Sequence, residues 1–227
     1  MSLTRIVTPP ALPVTEAEIW DHLRVPLTGS PESPADQGHI LTLIDAAVAG
    51  IDGADGWLGR ALVEQTWDLK LDYFPGHRTS EQGYHGAYFA GDAILVPLPP
   101  LRSVTSITYV DTNGDTQTLS SALYTVDTAS EPGRIVPVYQ EVWPSTRGQI
   151  DAVTVRFVCG YEPGASASPP TDADYQLNVP KPIKAAIKLL VAELYEHRED
   201  VNVGQSVNAM PFGSEALLAP YRIWDFD

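Results

Sequence analysis

The stretch "VPKPIKAAIKLLVAELYEHRED", Val179 to Asp200, decides how the chain is built. Its spacing predicts a helix. Pro182 suits N1, and Ile183, Ile187, Leu190 and Leu194 recur at steps of three and four along one face. The far end gathers Glu193, Glu196, His197 and Asp200, either a metal or acid/base site or the wet side of a packing helix. At about 100° per residue, His197 falls near the edge of the apolar face and Glu196 roughly 100° from it. Neither the HExxH nor the ExxH spacing is present, and no second carboxylate–histidine pair stands elsewhere to complete a site. The segment is read as a packing helix with a solvated end.

Working outward, residues 15–62 also read as helical. "VTEAEIWDHLRVP" offers Thr15 as N-cap with Glu18 three residues on, a capping box, and Pro26 ends the segment. Ile40, Ile44, Ala47, Ile51, Ala54, Leu58 and Leu62 then predict a longer helix with one apolar face. Gly50, Gly53, Gly56 and Gly59 recur within it, each costing about 1 kcal/mol against alanine. Such glycines point to close backbone approach, or to a helix that breaks near its middle.

Between these helical ends the period changes to two. Trp67, Leu69, Leu71 and Tyr73 alternate with polar residues in "QTWDLKLDYF", the mark of a half-buried strand. "AILVPLPPLRSVTSITYVD" reads as a strand with a proline-marked edge or bend, and Asn113-Gly114 as a hairpin turn. "TQTLSSALYTVD", "GRIVPVY" and "AVTVRFVCGY" complete a small antiparallel unit. The expected fold is therefore α+β: a helical bundle formed by the N- and C-terminal helices, with an inserted small antiparallel β unit. The expected parts are an N-terminal helical part over 1–62, the β unit over 63–162, a C-terminal helix with linker over 163–212, and a docking arm over 213–227.

The 227 residues include 44% hydrophobic residues, enough for a core, and no apolar run approaches the roughly 20 residues of a membrane span. "MSLTRIVTPPALPVTEAE" lacks the apolar region of a signal peptide, and the single Cys159 allows no internal disulfide. Net charge is −15, from 29 acidic against 14 basic residues, which disfavours sequence-specific DNA binding but suits a wall that DNA slides past.

Other candidate chemistry has bland readings. "DTNGD", Asp111 to Asp115, mimics the start of a calcium loop, but Thr116 stands where glycine is needed and Ala122 where glutamate is needed. GxSxG, GxxxxGK[ST] and GxGxxG are absent. Cys159, inside a β pattern, reads as a buried structural thiol. His77, Tyr84, His85 and Tyr88 lie in a long Gly/Tyr-rich connection, a possible binding loop or a hairpin tip. The chain end is unusual: Leu217, Leu218, Tyr221, Trp224 and Phe226 make it apolar and aromatic, so it docks either on its own body or on a partner.

Read in order, the chain resembles the head–tail connector (adaptor, or head-completion) family of long-tailed double-stranded DNA bacteriophages. The resemblance rests on an ordered series: "TEAEIWDHLRV", "LIDAAVAGIDGADGWLGRALVEQTWDLKLDYFP", "ILVPLPPLRSVTSITYVDTNGDTQTL", "YTVD", "GRIVPVYQEVWP", "VTVRFVCGY", "VPKPIKAAIKLLVAELYEHRE" and "LLAPYR". The long "GHRTSEQGYHGAYFAGDA" connection and the "IWDFD" extension depart from it. The resemblance implies a structural virion protein at the head–tail junction, assembled in the host cytoplasm, with no catalytic residue, metal, cofactor or membrane partner. It implies a homo-oligomeric ring, usually of twelve copies, beneath the portal protein. Such a ring extends the DNA channel, lets genomic DNA pass non-specifically, and meets the next head-completion or tail-terminator protein. The C-terminal segment would reach the portal through Leu217, Leu218, Pro220, Tyr221, Arg222, Trp224 and Phe226. Two rivals stand beside it: a β-type binding module of a phage tail, gripping a glycan or receptor with the 76–93 loop, and a hydrolase of unrecognised type using Glu or Asp. Amphipathic helices at both ends argue against a free-standing β module.

Because the carboxylates lack convergent partners, chelation with EDTA should leave the melting curve unchanged. A drop of many degrees, restored by zinc or calcium, would expose a missed metal site.

Overall fold

The computed structural model describes residues 1–29, 32–76, 92–164, 168–197 and 212–223. In chain order the elements are β1 (Ser2–Val7), α1 (Glu16–Leu23), the two-residue strands β2 (Leu27–Thr28) and β3 (Ser33–Pro34), and α2 (Gln37–Ala49). Then come β4 (Gln65–Leu71), β5 (Ile94–Val96), β6 (Leu101–Val110), β7 (Thr116–Thr118), β8 (Tyr124–Asp127), β9 (Gly133–Pro137) and β10 (Val153–Cys159). The helices α3 (Asp172–Leu177), α4 (Lys181–Glu196) and α5 (Phe212–Leu218) follow. The protein is α+β. It forms two compact units, a β unit of Met1–Pro9 with Glu64–Tyr161 and a helical unit of Pro10–Val63 with Glu162–Asp227. Residues 1–9, expected in the helical part, belong to the β unit because β1 pairs with β4.

The helical unit is organised by α4, which α1, α2 and α5 all contact. Its inner face is Ile183, Ala186, Ile187 and Val191, all buried. Leu190 is half-buried and Leu194 is exposed, so the buried face is rotated from the predicted stripe and ends a turn earlier. The helix opens at Lys181, one residue before the expected start. In α1 the capping box forms: Glu18 N donates to Thr15 Oγ1 at 3.0 Å, and Thr15 N donates to Glu18 Oε2 at 3.1 Å. Burial pushes the Glu18 carboxyl up, yet the Thr15 N–H, Lys188 and Lys184 outweigh it and hold the group below its ordinary value. Tyr195 Oη donates to Asp36 Oδ2 at 2.8 Å, tying the end of α4 to the start of α2.

The long helix predicted to Leu62 stops at Ala49. Beyond it the chain folds into a tight irregular turn. Gly53 N, at φ 83°, donates to Arg60 O at 2.9 Å, and Leu62 N donates to Asp52 Oδ1 at 2.7 Å. Ile51, Leu58 and Leu62 are nonetheless buried while Ala54 is exposed, so the helix-like spacing marks a loop that buries three of the four residues expected there. A Cβ at Gly56 would lie 2.5 Å from Ile51 C and Asp52 O, which explains that glycine by close backbone approach. The stretch before α4 has no apolar stripe, yet α3 forms there on a one-turn capping box. Asp174 Oδ2 accepts from Thr171 N at 2.8 Å and from Thr171 Oγ1 at 2.7 Å.

The β unit holds a five-stranded antiparallel sheet in the order β1-β4-β10-β6-β7 and a three-stranded antiparallel sheet in the order β5-β9-β8. Central β10 alternates cleanly: Val153, Val155, Phe157 and Cys159 are buried. On its other face Arg156 forms a bidentate pair with cross-strand Asp68, Nε–Oδ1 at 2.7 Å and Nη2–Oδ2 at 2.8 Å. Phe74 stacks on Trp143 with centroids 4.9 Å apart, and Trp143 Nε1 donates to Asp92 O at 2.7 Å. These contacts fix the two chain ends that bound the long connection.

The two glycines should respond oppositely to alanine. Gly50 has right-handed helical angles and only ordinary contacts for a Cβ, so Gly50→Ala should be neutral or stabilise by about 0.4–1 kcal/mol. Gly56→Ala, forced against backbone, should cost about 1–3 kcal/mol. Denaturant midpoints of the two variants check this.

Candidate functional site

The sequence offers the aromatic chain end two destinations, its own body or a partner. Residues 212–223 take the first. Ser214 and Leu218 are fully buried, and α5 packs on α4. After Leu218 the chain turns through a 3-10 segment, Ala219–Tyr221, rather than leaving as an extended arm, because Pro220 fits the first turn of that segment. It then runs along the Gly-rich turn that follows α2. Arg60 Nε donates to Tyr221 O at 2.7 Å, and Ile223 N donates to Leu58 O at 2.9 Å. The Arg222 guanidinium lies 4.4 Å from the Trp57 ring centroid, a cation–π contact. Gly59 takes the left-handed φ of 62° that this turn requires, while a Cβ there would meet Ile223 only at ordinary contact distance, 3.5 Å.

Leu218 is therefore a core residue of the helical unit, a correction to its place among the partner-binding residues. Pro220 is exposed, while Leu217, Tyr221 and Arg222 are half-buried at the surface of the segment. Trp224 and Phe226 lie outside the described residues, as do His77, Tyr84, His85 and Tyr88 of the long connection. The sequence reading missed Trp57 and Arg60. One signal was present: Arg60 is the lone basic residue between Arg24 and Lys70, set in a glycine-rich turn beside a tryptophan. At 4% exposure such a charge needs partners, and Tyr221 O supplies one.

Glu193, Glu196 and His197 are exposed; His197 Nδ1 is 3.3 Å from Glu193 Oε1 on the same helix, and Asp200 lies outside the described residues. In the hairpin, Asp111 Oδ1 accepts from Asn113 N, Gly114 N and Asp115 N at 2.9–3.1 Å. Gln117 Nε2 donates to Asp111 Oδ2, and this bond, with the backbone N–H groups, holds the carboxyl below its ordinary value. Its oxygens are spent on the turn, with Gly114 at φ 98°. Cys159 is fully buried, with Sγ 3.8 Å from Gln65 O. Among the described residues no group of three or more His, Cys, Asp or Glu comes together to hold a metal, and no helix is long and apolar enough to cross a membrane. What the chain end offers is a shaped, partly aromatic surface.

No protein-family model matches the chain, and no curated protein matches it. Solved structures do. The chain is similar to one from the virion of a native gene transfer agent particle, with TM-score 0.68 and 25% identity over 100% of this chain and 97% of that one. It is similar to a chain from the neck of the empty particle, computed with C6 symmetry, at TM-score 0.66 and 27% identity with the same coverage. A chain from the neck of the native particle, computed with C12 symmetry, gives TM-score 0.63 and 25% identity, again over 100% and 97%. Both units of this protein thus have counterparts in chains of a phage-like particle and its neck.

Proposed function

We propose that this protein is a head–tail connector, or adaptor, of a phage-like particle. It forms a ring under the portal, extends the DNA channel and joins the capsid to the tail. The observation that carries this reading is the end-to-end likeness to virion and neck chains at 25–27% identity. The C6 and C12 symmetries of those necks favour a homo-oligomeric ring, for which we propose twelve copies. Its partners are then the portal protein, neighbouring copies, the next head-completion or tail-terminator protein, and genomic DNA passing without sequence contact. The role is structural, at the head–tail junction of particles assembled in the host cytoplasm, and needs no cofactor. A net charge of −15 supports a conduit, since an acidic wall makes few phosphate contacts that ejection must break.

The portal contact is assigned to the C-terminal end: Leu217, Pro220, Tyr221 and Arg222 at the surface of the helical unit, with Trp224 and Phe226 beyond them. Leu218 anchors this surface from within.

Two truncations separate docking from folding. Removing residues 224–227 should leave the melting temperature within a few degrees and weaken binding to portal-bearing heads, each aromatic anchor contributing about 2 kcal/mol or more. Removing 213–227 also deletes Leu218 and the bonds to Arg60 and Leu58, so melting should fall clearly. Undiminished binding by the shorter truncation would place the portal contact elsewhere.

Light scattering tests assembly. Free protein should be a monomer or loose oligomer that closes into rings on the portal, and salt should favour free rings by screening like charge over about 8–10 Å. Rings tightest at low salt would contradict the repulsion argument.

A further inference from the structure

Asn113-Gly114 is the one Asn-Gly pair in the sequence; Asn178, Asn202 and Asn208 precede valine or alanine. A glycine after asparagine leaves the next backbone nitrogen unhindered, which makes such a pair prone to deamidation. Asn113 is exposed on the hairpin between β6 and β7. In that reaction the Gly114 nitrogen gives its proton to base and attacks Asn113 Cγ. A Cγ–N bond forms, the Cγ–Nδ2 bond breaks, and ammonia leaves with the proton returned by the base. Water then opens the succinimide ring at either carbonyl, giving aspartate or isoaspartate.

The turn holds that nitrogen back. Gly114 N donates to Asp111 O at 3.0 Å and to Asp111 Oδ1, also at 3.0 Å. Oδ1 accepts as well from Asn113 N at 2.9 Å and from Asp115 N at 3.1 Å, so the backbone on both sides of the reacting bond is tied to one oxygen. Gln117 Nε2 holds the other oxygen at 2.9 Å. Hydrogen bonds donated by an N–H stabilise its neutral form, so losing the proton becomes harder. The Arg147 guanidinium beside Gly114 favours the amide anion, but Arg147 is exposed and its charge is screened by water.

We propose that Asn113-Gly114 is a modification site gated by Asp111: deamidation runs when the hairpin tip opens, and stops while Gly114 N–H stays bonded to Asp111. β7 is three residues long and closes one side of the sheet, so the tip opens without unfolding the rest of the unit. The product undoes the turn. Isoaspartate adds a backbone atom before Gly114, which moves the Gly114 and Asp115 N–H groups away from Asp111. Either product also places a new negative charge between Asp111 and Asp115.

Mass spectrometry of the tryptic peptide from Ser103 to Arg134 tests the gate. The full-length protein stands in mildly alkaline buffer, native or unfolded in guanidinium, and deamidation is read as a single-dalton gain placed at position 113 by fragmentation. The native chain should convert roughly tenfold more slowly than the unfolded one, the scale of one hydrogen bond to a charged group. Asp111→Ala, shown to be folded by its melting curve, should convert about tenfold faster than native wild type. Equal rates in native and unfolded wild type overturn the gate. So does a folded Asp111→Ala that converts no faster than wild type. Should Asp111→Ala fail to fold, Gln117→Ala decides: it releases one side of the carboxylate and should speed conversion, and an unchanged rate overturns the role of Asp111.

Discussion

The buried face of α4 is the constraint on which the helical unit depends. Ile183, Ala186, Ile187 and Val191 are all removed from water, and α1, α2 and α5 reach that helix from sequence positions far apart. Burying each of Ile183, Ile187 and Val191 contributes about 1.5–3 kcal/mol, more than a surface ion pair around them. The unit is complete only when the chain before Val63 and the chain after Glu162 come together. The C-terminal segment completes the unit: Leu218 fills the core, and Arg60 and Leu58 hold the backbone beyond it. If this is the proposed docking surface, its fixed backbone would reduce the ordering cost of binding a partner.

Much of this was legible in the residues. Thr15 and Glu18 announce their capping box, Asn113-Gly114 its turn, and the alternation around Trp67 and Val155 its strands, because each signal is local. Failures came where tertiary contacts decide. Ile51, Leu58 and Leu62 keep helical spacing while lying in a turn, since burial alone does not distinguish the two. β1 gives little signal by itself; pairing with β4 and the approach of Arg5 to Trp67 define it. The fate of the aromatic end depended on Trp57 and Arg60, more than 150 residues earlier in the chain, which no local pattern connects to it.

Charge links structure to role. Most of the excess negative charge belongs to the helical unit, while the chain's first strand is free of acid. In the proposed role, like charge would keep dilute copies apart and give passing phosphate little to hold. Such repulsion would suit a component that assembles only on a template.

A cryo-electron reconstruction of the particle's neck tests the central claim most directly. The account predicts twelve copies of this α+β chain in one ring immediately below the portal, with density for the C-terminal end directed at the portal. Density placing the chain in the tail fibre or on the outer capsid surface, or as single copies away from the DNA channel, would contradict it.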